Sequence, residues 1–177
     1  MKRDAVNSPT GGVGTLERAA LAAEIHDLYD GRGDGDRLLA AVRAAALYVP
    51  LAEGDDEGAV KADGAQEPAM CSGESDGVRW LYAFTSVTEL ERFARARVEA
   101  GADPGWASGR VRYWTVLGSR LLDVAVPAAV TETRTPTGVA VDVGGIRPLL
   151  LPPVSGIVPD PTAVDLVGRQ GVVDQNA

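Results

Sequence analysis

"GVRWLYAFTSVTELERFARAR" occupies residues 77–97, and its reading decides the fold. In an extended chain, Val78, Trp80, Tyr82 and Phe84 fall on one face, Leu81 and Ala83 on the other. Side chains alternate between the two faces of a sheet, so a strand that is apolar on both belongs in the sheet interior. Ser86 and Glu89 follow at the spacing of a capping box, in which each side chain satisfies the other residue's exposed backbone N–H. Leu90, Phe93, Ala94, Arg97 and Val98 then recur as one buried stripe of a helix, with the Arg97 stem lying along it.

The surrounding chain fits one domain built on this unit. Tyr48, Trp80, Tyr82, Phe84, Phe93, Trp106, Tyr113 and Trp114 all lie within residues 38–152, and only Tyr29 lies outside. Large rings bury about 150–250 Å² each, so the core is expected in that span. Upstream, residues 15–30 read as a helix capped by Thr15, with Leu21, Ile25, Leu28 and Tyr29 on its apolar face. "GRGDGD" at 31–36 ends it, and Asp36 caps a second helix, "RLLAAVRAAA". A strand "LYVPLA" at 47–52 follows, with Pro50 placing it at a sheet edge or strand end. Residues 53–77 read as one long acidic, Gly-rich loop without periodicity.

Downstream, "RVRYWTVLG" gives a strand at 110–117, and "SRLLDVAVPAAV" a short helix stopped near Pro127. "TGVAVDVGGIRPLLLPP" closes the domain as a hairpin, strands 138–143 and 147–151 around Gly144–Gly145. Residues 1–14 read as disordered, and 153–177 as a Pro-containing tail. The expected class is α+β: a single domain at 15–152, a mostly antiparallel sheet of about five strands, and helices packed on one side.

Charge and composition exclude several functions. The net charge of −8 and a pI near 4.6 argue against nucleic-acid binding, which needs Lys and Arg against phosphates. Most of that charge is local, since residues 53–76 hold eight acids and one lysine. Cys71 is the only cysteine, so no intramolecular disulfide and no cysteine zinc cluster is expected. No apolar run of about 18 residues is present, and the N-terminus lacks the apolar core of a signal peptide. The expectation is a cytoplasmic protein without a membrane partner. Arginine outnumbers lysine fifteen to two, which reads as the coding bias of a GC-rich bacterial genome.

Recognisable catalytic and metal motifs fail one by one. His26 is the only histidine and it lies on a helix, so no catalytic residue is assigned. "DGRGDGD" at 30–36 resembles the start of a calcium loop, but its third position is Arg32 and its twelfth is Ala41, where a neutral or acidic ligand and a bidentate glutamate are needed. "GGVG" at 11–14 follows no strand and lacks a Walker lysine. Cys71 sits among carboxylates, which favour the thiol over the thiolate. No metal and no cofactor is expected. Residues 79–120, with seven arginines against four acids, supply the candidate ligand- or partner-binding groups Arg92, Arg95, Arg112 and Arg120. The plainer reading has these arginines facing solvent or pairing with the acidic loop.

"LLAAVRAAALYVPLA", "RWLYAFTSVTELERFARAR", "VLGSRLLDVAVPAA" and "GVAVDVGGIRPLLLPP" together resemble the SseB N-terminal domain family, over roughly residues 38–152. The resemblance implies a small cytoplasmic bacterial α+β domain of a kind common in actinobacteria. It implies no established enzymatic activity, so no catalytic residue is carried over. The N-terminal helix and the acidic insertion stand out as departures from the family pattern. Function is therefore expected to be that of a non-catalytic protein-interaction module, an adaptor or regulator with a protein partner. The alternative is a small-molecule or anionic-ligand binding protein, a cryptic enzyme using Asp123, Asp142 and an arginine.

Overall fold

The computed structural model describes residues 13–52 and 69–167. The first helix, α1 (Val13–Tyr29), begins ahead of Thr15, so that residue does not cap it. It buries Leu21 and Ile25, while Leu28 and Tyr29 stay 41% and 49% exposed, a narrower apolar face than expected. The next helix, α2 (Gly35–Ala44), is capped by Asp34 and not by Asp36. Asp34 has the extended backbone a cap requires, and its carboxylate accepts from Arg37 N–H at 2.9 Å. Asp36 lies inside the first turn, where its charge still favours the helix N-terminus.

Six strands follow: β1 (Ala46–Pro50), β2 (Ser72–Ser75), β3 (Val78–Ala83), β4 (Tyr113–Leu117), β5 (Thr137–Val141) and β6 (Leu149–Leu151). They form a four-stranded sheet in the order β2-β3-β5-β6 and a two-stranded sheet β1-β4. All pairs are antiparallel except β3–β5, which is parallel. As expected, β3 is an interior strand of an α+β fold. One expectation needs correction here. Residues 53–68 lie outside the described residues, but Met70 bridges Leu51, and 72–75 form β2, so the stretch to 77 is not all loop. Asp76 and Gly77, both at positive φ (54° and 74°), make the tight turn that returns β2 against β3.

The helix α3 (Val87–Glu99) begins at Ser86, whose hydroxyl accepts from Glu89 N–H at 3.2 Å. The carboxylate of Glu89 accepts from Arg92 at 2.6 Å, so the expected box is occupied in its Ser86 half. A 3-10 turn (Pro104–Ser108) leads into β4. Residues 118–133 are then helical throughout: α4 (Gly118–Arg120), a π-turn (Leu121–Ala125) and α5 (Val126–Thr133). Pro127 does not stop this segment. The π-turn, with Val126 N–H reaching back to Leu121 O, widens the ladder where the proline would leave a carbonyl without its donor. Gly118 is required at the start, because a Cβ there would collide with the carbonyl of Val42 in α2.

β5 and β6 pair as expected, in the register Val139↔Leu151 to Val141↔Leu149. Their connection is the longer stretch 142–148, with Asp142 and Gly144 at positive φ, and not a two-glycine turn. Pro148 offers no N–H to extend the ladder, and its carbonyl accepts from Tyr29 Oη at 2.6 Å. From 153 to 167 the chain is not a free tail, and residues 168–177 lie outside the described residues. A 3-10 turn (Asp160–Thr162) and α6 (Val164–Val167) follow, and Val158 and Ala163 are 3% and 0% exposed within the main core.

Two buried clusters lie on the two faces of β3. Leu81 and Ala83 join Leu21, Val42, Leu122 and Val141 in the larger one. Phe84, Leu90, Phe93, Ala94, Trp106 and Cys71 form the smaller, with Tyr48 and Tyr82 packed against it. Helices thus cover both faces, α3 alone on the side opposite α1, α2 and the 118–133 segment. Among the described residues no helix is long and apolar enough to cross a membrane.

Phe93 touches three rings, with centroids 5.0 Å from Tyr82, 5.1 Å from Phe84 and 6.2 Å from Trp106. Truncating such a ring costs about 3–5 kcal/mol, and losing an N-cap about 1 kcal/mol. Urea titrations should therefore show Phe93→Ala grossly destabilised and Ser86→Ala shifted modestly. Equal midpoints for the two variants would contradict this packing.

Candidate functional site

The two-stranded sheet is held to the larger one by backbone bonds along the inner side of β1, among them Cys71 N–H to Pro50 O at 2.8 Å and one reciprocal pair. Tyr48 N–H donates to Phe84 O at 2.9 Å, and Phe84 N–H donates to Tyr48 O at 2.8 Å. Tyr48 therefore spends both backbone groups on its inner side, and β1 meets β4 through alternate residues. At the ends of the pairing, Leu51 N–H donates to Arg112 O and Gly118 N–H to Ala45 O, both at 2.9 Å. With the register Leu47↔Val116 and Val49↔Trp114, these bonds set the phase: even-numbered residues of β4 face β1. Tyr113, Thr115 and Leu117 turn their N–H and C=O groups the other way. No described strand lies there.

Apolar side chains accompany this open edge. Tyr113, Trp114 and Leu117 are between 40% and 47% exposed, although rings of this size are usually the first to be buried. Tyr113 stands edge-on to Tyr48, centroids 5.4 Å apart, and Arg18 of α1 covers Tyr48 from 5.3 Å. The aromatics of 113–114, read from sequence as core, are instead half-exposed on the sheet edge.

The four candidate arginines do not converge. Arg112 immediately precedes β4 and Arg120 closes α4 just after it, so these two bracket the open edge, both exposed. Arg95 is exposed on α3 and lines a 250 Å³ hollow with Val98, Trp106 and Val111. Arg92 sits elsewhere, bound to Glu89. Arg110, not among the four, joins Arg112 at the near end of β4. The residues missed were thus the edge-strand side chains, and the signal was present: a β-prone "YWTVL" whose neighbours on both sides are arginines.

A second feature is a 440 Å³ cleft between α1, the start of α3 and the 142–148 connection, lined by Ile25, Thr85, Ser86, Glu89, Asp142 and Arg147 among others. Asp142 is its most constrained group. It stands at φ 52°, and its carboxylate accepts from Thr85 N–H at 2.9 Å and Thr85 Oγ1 at 2.7 Å. Burial pushes its pKa up, the two Thr85 bonds oppose that, and neighbouring Glu89 adds to it. Asp123, the other carboxylate considered, is held by Arg43 at 2.7 Å. His26 is a surface residue paired with Asp30 at 3.1 Å and with Arg147. Asp30 and Asp34 of the calcium-like stretch are engaged by Arg32 and by the α2 cap. Cys71 is buried, and desolvation pushes its thiol up to about 11, which leaves it protonated and unreactive at neutral pH.

Because the folded pKa of Asp142 lies above the unfolded one, the fold favours its protonated form. Its contribution to stability is full below the ordinary value of 3.8 and is lost as pH rises through the raised one. Asparagine tolerates the left-handed backbone, its Oδ1 can accept from Thr85 N–H, and its Nδ2 can donate to Thr85 Oγ1 in place of the present O–H bond. Denaturant unfolding from acid to neutral pH should thus show wild type losing stability relative to Asp142→Asn as pH rises. Asp142→Ala, which strands the Thr85 N–H, should cost roughly 1–3 kcal/mol. A wild-type advantage that grows with pH would contradict the burial of this carboxyl.

Comparison with known proteins bears on family and not on activity. No curated protein and no solved structure matches the chain. The family model described as SseB protein N-terminal domain matches residues 19–154. The match begins inside α1, so this helix belongs to the shared pattern and is not a departure from it. It runs from there through β6 to Val154, most of the chain, and the protein is a member of the SseB N-terminal domain family.

Proposed function

We propose that this domain is a non-catalytic, cytoplasmic protein-interaction module that receives an extended segment of a partner protein as an added strand on β4. The observation that supports the reading is the outward phase of Tyr113, Thr115 and Leu117, whose backbone finds no partner among the described residues and lies beside exposed apolar side chains. Strand addition draws affinity from main-chain hydrogen bonds and selectivity from alternating side chains. Edge strands are ordinarily blunted with proline, a bulge or an inward charge. The five residues of β4 contain none of these, which suits an edge kept open for a partner. An adaptor or regulator needs no more chemistry than this.

A second reading places a small ligand in the 440 Å³ cleft, and the buried, raised-pKa Asp142 is what favours it. Each of its carboxylate oxygens already accepts from Thr85, which fits a structural clamp on the 142–148 connection better than a group waiting for substrate.

Thr115→Pro is the discriminating variant. It removes one outward N–H and no bond to β1, so the fold and thermal midpoint should be kept. In affinity capture from the source cell, wild type should retain a partner that the variant loses. Added partner should also slow hydrogen exchange at Tyr113, Thr115 and Leu117. A partner held equally by both proteins would overturn strand addition.

A further inference from the structure

We infer that the segment received by β4 is acidic at both ends and apolar in its middle. This rests on the strand-addition reading and adds the chemistry of the partner. Arg110 and Arg112 stand at one end of β4 and Arg120 at the other, all exposed. None of the three makes a side-chain hydrogen bond or ion pair among the described residues. Of the ten other described arginines, Arg32, Arg37, Arg43, Arg92, Arg97 and Arg147 each lie against a carboxylate, and Arg18, Arg79, Arg95 and Arg134 are scattered over other elements. Residues 104–122 contain no Asp or Glu at all, in a chain of net charge −8. The acids that flank this stretch, Asp103 and Asp123, are taken by Arg97 and Arg43. Among the described residues the open edge is therefore a locally positive strip on an acidic protein.

Between Arg112 and Arg120 the strand spans roughly 20 Å, which an added segment of about six residues covers. Along that length the added strand meets Tyr113, Trp114 and Leu117, which call for apolar or β-branched side chains. Carboxylates belong just beyond, where the arginines stand. Exposed ion pairs contribute little individually, so the arginines select the partner and speed its arrival while the ladder holds it. A second copy of this chain is a poor occupant. Antiparallel self-pairing about Thr115 sets Tyr113 against Leu117 and brings Arg110 and Arg112 of each copy toward Arg120 of the other. Parallel self-pairing sets each arginine beside its equivalent. Like charges oppose in both arrangements.

The probe is a capped nonapeptide, Glu-Glu-Val-Thr-Val-Thr-Val-Glu-Glu, titrated calorimetrically into the full-length chain beside versions with glutamine or lysine in place of glutamate. The glutamate peptide should bind roughly ten-fold more tightly than the glutamine one, the sum of a few exposed pairs, and the lysine peptide should not bind. The Arg112→Gln, Arg120→Gln double variant should erase the glutamate advantage and leave the glutamine peptide unaffected. If all three peptides bind alike and Thr115→Pro abolishes them all, the acidic inference falls while strand addition stands. If the glutamate peptide binds Thr115→Pro as well as wild type, both fall. Absence of binding by every peptide also overturns the inference.

Discussion

The reciprocal backbone pair between Tyr48 and Phe84 is the constraint on which the rest of the arrangement depends. Phe84 is fully buried at the end of β3, and the pair ties β1 to it by two bonds of 2.8 and 2.9 Å. With the inner edge of Tyr48 committed, only Leu47 and Val49 are in phase to bond outward, and β4 joins through them. The last strand then inherits an odd-numbered set of residues with no ladder to enter. The position of the open edge follows from where Tyr48 is anchored.

That anchor is held in turn by packing on both faces of β3. Leu81 and Ala83 point into the large aliphatic core, Phe84 into the aromatic cluster under α3. Burial of these groups is the main driving force for the fold. Trp80 and Tyr82 lie across the neighbouring strands, where Gly138 and Gly73 leave room that a Cβ would close. The 142–148 connection is fixed from a different direction. Asp142 ties it to Thr85, and Tyr29 ties it to α1 through Pro148. The 142–148 connection is thus held both to the start of α3 and to α1, while β4, like β2 and β6, is an edge strand.

The parts legible in the sequence were those where apolar periodicity and burial coincide. Residues 77–97 showed strand, cap and helix because Leu81, Ala83, Leu90 and Phe93 are all buried where their spacing places them. Ser72–Ser75 was hidden because its side chains are small and polar; the pairing comes from an Asp-Gly turn and backbone bonds to β3. Pro127 misled because a π-turn absorbs the missing donor. Val158 and Ala163 were overlooked because they are modest residues in a proline-rich stretch, yet they close the core. For the site, Arg112 and Arg120 stand exposed and unpaired among the described residues, and their placement at the two ends of an edge could be seen only once β4 was known to be one. Strand order is set by contacts between Tyr48 and Phe84, far apart in the chain, and residue spacing within β4 carries no trace of it.

Amide hydrogen exchange measured residue by residue in the free protein tests this account most directly. The alternation in β4 is its central claim, and exchange reads backbone bonding without reference to any partner. Trp114 and Val116, bonded to β1, should exchange slowly, while Tyr113, Thr115 and Leu117 should exchange orders of magnitude faster in the same strand. Uniform protection from 113 to 117 would mean that the outer edge is already paired, and the open-edge account would be wrong.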